Sequence, residues 1–594
     1  MNSKINSTIN YRLKTFEKGE QNVAFKDALK GLKPLLSDEK ISIFLALMAI
    51  LINSSANLIG PVVIAHTIDT YIATKNFYGV LSLSGILAII YIIGLVASYL
   101  QVKVMGGVGR RLLFKLRNAI FTKLQELPVA FFNANKAGDL ISRINNDTDK
   151  LNQFFSQALV QFVGNVFIML GAAIFLLSLN LRLGVSALVP AVIVLILTQL
   201  ISPWIKRTSV KSLQSLGALS AEISESLANF KVVVAFNRLD YFRVKFDEVN
   251  QVNYNASVKA GVASNILNPI YGIAANVAQI VVLAYGIKLI GAGHLTIGLL
   301  IGFLLYVNNF YNPLRQLASI WSSLQLALAS LDRISEVLDL SSTITLVPSG
   351  EKCRDSDAVI VFDHVSFTYP DGKEVLRNVS FTLERSKTYA LVGPTGGGKT
   401  TTASLMARLF DPIEGTVYLD GKDIRSYESS DRARKIGFIL QEPFLFTGTV
   451  GENILYGNTD YVGHSSNELV GLLKEKNLDA LLARFDNGLD TKVGAADSIS
   501  LGQKQLIAFI RAVLRDPEIL ILDEATANID TVTEQLLEDI LKKLPESTTK
   551  VIIAHRLNTI QNADTIFFVN GGEVVHAGSF DHAVEMLMQG KRSS

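Results

Sequence analysis

Gly393-Pro394-Thr395-Gly396-Gly397-Gly398-Lys399-Thr400 fits the pattern GxxxxGK[ST]. The residues on either side decide what that pattern means. Thr388 to Val392 reads as a short buried strand, and Thr401 to Leu409 reads as a helix. Strand, glycine-rich turn and helix in that order make a P-loop. The glycines let successive backbone N–H groups turn into one concavity, and the start of the helix at Thr401 adds partial positive charge for phosphates. Lys399 is the residue expected to reach the β- and γ-phosphates, and Thr400 is expected to ligate Mg²⁺.

Downstream, Ile519-Leu520-Ile521-Leu522 runs into Asp523-Glu524. Four consecutive branched apolar residues suit a parallel strand covered on both faces. Carboxylates at its C-terminal tip stand where open α/β sheets bind ligands. Asp523 is the expected partner of Mg²⁺. Glu524 is placed to polarise an attacking water, because hydrolysis needs a base or orienting group in line with the γ-phosphate.

Upstream the texture is different. The chain has 594 residues, of which 49% are hydrophobic and only 18% charged, below the quarter or so typical of soluble domains. The excess lies in six apolar stretches near 41–65, 79–102, 157–179, 183–204, 261–287 and 295–314. None of them contains Asp, Glu, Lys or Arg. Each is long enough to cross a hydrocarbon core about 30 Å thick, which takes roughly 20 helical residues.

Basic residues sort the connections between these stretches. Lys103 to Lys150 holds nine Lys and Arg and Lys206 to Lys259 holds eight, whereas the three alternate connections hold only Lys75, Arg182 and Lys288. Positive charge stays on the cytoplasmic side. The N-terminus, both long connections and everything after the sixth stretch are therefore expected in the cytoplasm. Val104 to Asn152 and Ile205 to Val258 mix apolar and charged residues at helical spacing, so they read as spanning helices continued into the cytosol. Phe25, Ala28, Leu29, Leu32, Leu35 and Leu36 share one helical face opposite Lys26, Lys30 and Lys33, which predicts an amphipathic helix on the inner membrane surface. No removable signal peptide is evident in the polar N-terminus.

The fold class expected is an α-helical membrane domain of six transmembrane helices fused to a cytoplasmic α/β P-loop NTPase domain. Its parts are a cytoplasmic N-terminal segment (1–40), the membrane domain (41–335), a linker (336–356) and the nucleotide domain (357–594). A single cysteine, Cys353, excludes an intrachain disulfide and a cysteine-rich metal site. A net charge of +3 provides no basic field for nucleic acid, which is not expected as a partner.

The order of these motifs resembles the ATP-binding cassette family over nearly the whole chain. Ile499-Ser500-Leu501-Gly502-Gln503 is similar to the family signature LSGGQ, with Ile for Leu and Leu for the first Gly. Ser500 and Gly502 keep the hydroxyl and the close backbone approach that cap a γ-phosphate at a helix N-terminus. Gln441 resembles the Q-loop glutamine, which the resemblance places on Mg²⁺ and on the membrane domain. Asp530 in Ala527-Asn528-Ile529-Asp530 is similar to the D-loop, and His555 to the switch histidine at the γ-phosphate. Tyr369 in Phe367-Thr368-Tyr369 is similar to the aromatic that stacks on adenine. ATP and Mg²⁺ are the cofactors implied.

One stretch departs from the pattern. Thr491-Lys492-Val493-Gly494-Ala495-Ala496-Asp497 carries Ala495 and Asp497 where exporters of the family have Glu and Gly, and the resemblance therefore leaves the coupling role of this loop open. Six spans ahead of one cassette resemble a half-transporter of the exporter type. Phe131-Phe132-Asn133-Ala134-Asn135-Lys136-Ala137-Gly138-Asp139 with Ser142-Arg143 resembles that group's first cytoplasmic loop. The resemblance implies an ATPase coupled to export, in a bacterial cytoplasmic membrane, and a second chain as partner because signature and P-loop meet across a dimer. A homodimer is expected, since Lys399, Thr400, Gln441, Ser500, Gly502, Asp523, Glu524 and His555 are all retained. The intact member of a heterodimer would look the same. Charge-free spans favour amphipathic, largely apolar cargo such as lipids or hydrophobic drugs, with peptides or a lipid-linked precursor as the alternative. An ATP-gated channel should need a pore lined with charged or polar rings, and the spans show no charged ring.

Overall fold

The computed structural model describes residues 11–13, 37–340, 347, 357–369, 372–494, 499–523, 531–553, 561–578, 581, 582 and 585. The amphipathic segment 25–36, Ala495, Asp497, Glu524, Asp530 and His555 lie outside the described residues. Two compact units result. One joins 16–122 to 141–339, and the other joins 1–15 and 123–140 to 340–594.

In the first unit the helices are α1 (Lys40–His66), α2 (Phe77–Gln125), α3 (Leu159–Leu179), α4 (Leu181–Ala228), α5 (Leu239–Asn265), α6 (Leu267–Gly291) and α7 (Ile297–Leu338). α2 runs on from the first unit into the second. Among the described residues six stretches of helix are long and apolar enough to cross a membrane, as the sequence reading expects. α3, at 21 residues, is about 31 Å long, one bilayer core, at 1.5 Å per residue. α2 and α4, at 49 and 48 residues, reach more than about 70 Å, so these two spans do continue far beyond the bilayer. The return leg of the first connection departs from that expectation only at its start, where Pro128 and Asn135 are extended on either side of the short helix Val129–Ala134; from Ala137 to Leu179 helix runs unbroken for 43 residues, through π-helical turns at Arg143–Asp147 and Phe154–Ala158. Proline lacks the N–H an uninterrupted helix would need there.

Along α2, Ile86, Ile89, Ile92 and Leu95 are exposed, as befits side chains whose solvent is lipid. The packed side is built of Ala172, Leu176, Ala187, Ala278, Phe303, Tyr306 and Val307, all completely buried. α7 packs against α3, α1 and α6. Close approach needs small residues. A Cβ on Gly298 of α7 would lie 2.2 Å from the Ala65 carbonyl oxygen of α1. The polar residues of the spans are largely spent on holding helices together. Tyr306 donates to the Leu58 carbonyl at 2.5 Å, Asn309 to the Asn57 carbonyl at 3.1 Å, and Gln279 to Asn308 at 2.9 Å; the Tyr271 and Thr198 hydroxyls lie 3.1 Å apart.

Among the described residues the second unit holds twelve strands: β1 (Ala358–Thr368), β2 (Glu374–Glu384), β3 (Thr388–Val392), β4 (Glu414–Leu419), β5 (Lys422–Asp423), β6 (Ile436–Ile439), β7 (Gly448–Thr449), β8 (Lys492–Val493), β9 (Ile519–Asp523), β10 (Thr549–Ile553), β11 (Thr565–Asn570) and β12 (Glu573–His576). A six-stranded sheet has the order β12-β11-β3-β10-β9-β6, parallel except for β12. An antiparallel sheet, β2-β1-β4-β5, lies within the same unit. Leu391, Ile521 and Val551 of the first sheet share one core with Ile360, Phe362 and Leu419 of the second. Near the N-terminus, Asn135 holds the chain at two points. Its amide nitrogen donates to the Tyr11 carbonyl at 2.8 Å, and its oxygen accepts from Leu13 N–H at 3.0 Å.

Candidate nucleotide site

The P-loop leaves the tip of β3 and enters α8 (Lys399–Met406). Gly393 has φ 144° and Gly398 φ 113°, values open to glycine and strained for other residues. Gly393 is also hemmed in: a Cβ there would lie 2.1 Å from the Val569 carbonyl oxygen of β11. Gly393→Ala is therefore expected to destabilise the cassette by at least about 2 kcal/mol, which lowers the melting temperature by about 4 °C or more. Thermal unfolding followed by circular dichroism checks this.

Lys399 is buried, and its Nζ donates to the carbonyls of Gly393 at 2.9 Å and Pro394 at 3.0 Å, so the cation is drawn across the loop it would serve. Gly397 N–H bonds the Pro394 carbonyl at 3.1 Å, closing the turn. The Thr400 hydroxyl donates to Asp523 Oδ1 at 3.2 Å. Asp523, 2% exposed, closes β9, whose five residues are all buried. A hydroxyl and a carboxylate side by side are hard oxygen donors, and two such protein ligands beside substrate phosphates are what Mg²⁺ usually takes.

Register brings the tips of β9, β10, β3 and β6 to the same edge. Asp523 pairs with Ile553 of β10, Ile553 pairs with Leu391 of β3, and Leu522 pairs with Ile439 of β6. Gln441, exposed, follows β6 by two residues (441 − 439). Glu524 follows Asp523 directly, and His555 comes two residues after Ile553 (555 − 553).

Tyr369 stands at the end of β1, half-buried. Its hydroxyl lies 3.0 Å from Thr401 Oγ1, and its ring meets Phe367 and Phe410 edge-on. The ring is thus seated on the cassette core beside the P-loop helix.

The signature stretch opens α10, where α9 (Val450–Leu455) and α10 (Leu501–Val513) pack together. Ser500 is the N-cap of α10. Its hydroxyl accepts from Gln503 N–H at 3.2 Å, and the Gln503 side chain accepts from Ser500 N–H at 2.9 Å, a complete capping box. The Gln503 amide also donates to the Arg484 carbonyl at 2.7 Å. Ser500→Ala is expected to cost about 1 kcal/mol through loss of this cap, read as a lower melting temperature.

One participant was not singled out from the sequence. Arg511 of α10 donates to the carbonyls of Asn453 at 2.7 Å and Phe444 at 3.1 Å, and its guanidinium lies over the Tyr456 ring. Burial pushes its pKa down from the usual arginine value. It ties the segment after Gln441 to the helix that begins at Ser500. An arginine within an apolar helix carries no spacing signal that could have revealed this.

A buried P-loop lysine, a Thr–Asp pair joining the P-loop helix to the tip of β9 and, among the described residues, six span-length helices define a membrane-bound P-loop protein of the cassette type. Comparison with known proteins agrees. Residues 43–314 match the ABC transporter transmembrane region and residues 376–527 the ABC transporter domain. An uncharacterized ABC transporter ATP-binding protein of Bacillus subtilis, YfiC, is 33% identical over 94% of this chain and 92% of its own length. A fatty acid ABC transporter ATP-binding/permease protein of Mycobacterium bovis is 32% identical over 84% and 78%. A multidrug resistance ABC transporter ATP-binding and permease protein of Lactococcus lactis is 29% identical over 83% of each. The chain belongs to the ABC transporter family and is a multi-pass membrane protein.

Proposed function

We propose that the chain is an ATP-driven exporter, acting as a homodimer, that moves amphipathic, largely apolar molecules out of the cytoplasm or inner leaflet of a bacterial cytoplasmic membrane. Its membrane part is placed at 41–335 and its cassette at 357–594. The observation that carries the reading is the cluster Lys399–Thr400–Asp523, formed at one sheet edge of a chain whose spans contain no formal charge. The names of the Mycobacterium and Lactococcus relatives, a fatty acid and a multidrug transporter, support both the activity and the cargo class.

The roles are those the family resemblance assigns to these residues, supported at Lys399, Thr400 and Asp523 by the contacts described above. Backbone N–H groups of the loop Gly393 to Gly398, Pro394 excepted since it has none, and the start of α8 at Thr400 and Thr401 receive the phosphates, and Lys399 Nζ leaves the Gly393 and Pro394 carbonyls to meet them. Tyr369 presents its ring to the adenine. Thr400, Gln441 and Asp523 would hold Mg²⁺, which would neutralise charge on the phosphates. Glu524 orients the attacking water and His555 contacts the γ-phosphate. Ser500, Gly502 and Gln503 at the start of α10, with Asp530, serve the nucleotide held by the other copy. ATP must bind the closed dimer better than the open one, because only differential affinity shifts the equilibrium.

The chain expressed alone and purified tests the assembly. Twice the mass of one chain, with ATP hydrolysis stimulated by oleate or a hydrophobic rhodamine dye, is expected. A stable, inactive protein that gains activity only with a second, different half-transporter would replace the homodimer with the intact half of a heterodimer. Stimulation by peptides alone would favour the peptide reading of the cargo.

A further inference from the structure

Apart from the nucleotide site, the densest group of buried charges lies in the membrane unit, between the end of α7 and the π-helical turn Arg143–Asp147. Arg143 is fully buried and donates from one nitrogen to the Arg333 carbonyl at 2.6 Å and to Glu336 Oε2 at 2.8 Å. Asp147 is fully buried too. It accepts from Ser330 at 3.2 Å and lies 3.3 Å from Arg333 Nε and 3.2 Å from Lys150. The pairs are crossed: cation to anion from Arg143 to α7, and anion to cation from Asp147 to α7.

Stability alone is a poor reason for such a cluster. Well-packed apolar residues of the same volume usually serve a buried site as well or better. What charges add is register, because removing or shifting either partner strands a buried ion. Its position in the chain is the second observation. The chain passes between the two compact units at 140/141 and at 339/340, among other places. Arg143 is the third residue past the first crossing (143 − 140), and Glu336 is the fourth before the second (340 − 336). Any displacement of the cassette unit reaches the spans through such crossings. The crossed pairs oblige these two to move together, and one of them starts in a π-helical turn, a geometry often found at functional sites.

We propose that Arg143, Asp147, Arg333 and Glu336 form a coupling clamp: positioning residues that lock the first cytoplasmic loop to the end of α7, so that ATP-driven movement of the cassette and cargo occupancy of the spans are transmitted as one event. The clamp rests on the reading of the chain as an ATP-driven exporter. Without it, each cassette would still bind and hydrolyse ATP, but out of step with the spans.

The test uses the full-length protein in nanodiscs. Glu336→Gln keeps the shape and one acceptor but removes the charge. The double variant Arg143→Met with Glu336→Met replaces the pair with apolar side chains, so that a stable fold is retained, which melting temperature verifies. Arg143→Lys keeps the cation. Two readouts are taken. The first is ATPase with and without oleate or the rhodamine dye. The second is the distance between spin labels on Lys75→Cys and Ala292→Cys, in a Cys353→Ser background, with and without ATP and vanadate.

In Glu336→Gln and in the double variant, KM for ATP should stay within about twofold of the parent. Stimulation by amphiphile should fall to near onefold, and the ATP-dependent shift in label distance should disappear. Arg143→Lys should restore both in large part. A folded double variant with parental stimulation and a parental distance shift would overturn the clamp. A parent that shows the distance shift but no amphiphile stimulation would count against the cargo reading, and the clamp would then be judged on the shift alone.

Discussion

Glu524→Gln should lower ATP turnover by about two to four orders of magnitude, the range that loss of a general base produces, while nucleotide binding survives. Glutamine preserves the volume and a hydrogen-bonding oxygen but carries no charge to orient or deprotonate water. The phosphate-binding side chains have partners of their own: Lys399 donates to the Gly393 and Pro394 carbonyls, and Thr400 to Asp523. ATP should therefore still bind, close the dimer and stay trapped. Phosphate release by the purified variant, alongside binding of a fluorescent ATP analogue, checks both halves. Turnover at the parental rate would remove Glu524 from its assigned role.

Lys399→Ala should fail at the earlier step. The ammonium is the one side-chain cation in the loop, and charge-assisted hydrogen bonds contribute about 1.5–3 kcal/mol each, so nucleotide affinity should drop about 10- to 100-fold. The fold should persist, because the loop's shape is set by Gly393, Gly398 and the Gly397–Pro394 bond rather than by the lysine. Titration with the same analogue distinguishes the two variants: Glu524→Gln binds and does not turn over, whereas Lys399→Ala binds poorly and for that reason turns over little.

Much of this was legible in the chain because the relevant physics is local. Charge-free runs of some twenty residues have few alternatives to crossing a bilayer, and the strands flanking the P-loop lie where their apolar runs are, Thr388–Val392 and Ile519–Asp523. Helix ends were less legible. The helix after the P-loop begins at Lys399 and stops at Met406, not at Leu409, because Arg408 takes a positive φ. The break at Pro128 and the π-helical turns within Ala137–Leu179 were hidden by a helical periodicity that continues through them. Long-range pairs were not legible at all. Arg143 and Glu336 are 193 positions apart, and nothing in either neighbourhood marks the other as its partner. The roles of the polar span residues also needed the structure: Tyr306 and Asn309 are engaged with the backbone of α1, which leaves the apolar character of the spans to decide the cargo.

Inside-out membrane vesicles that contain only this transporter, given oleate or the rhodamine dye outside, provide the most direct measurement. Addition of ATP and Mg²⁺ should drive the amphiphile into the vesicle lumen, against its gradient, with the parent protein and not with Glu524→Gln. Accumulation that proceeds equally with the variant, or transport that runs out of the lumen when ATP is added, would contradict ATP-driven export.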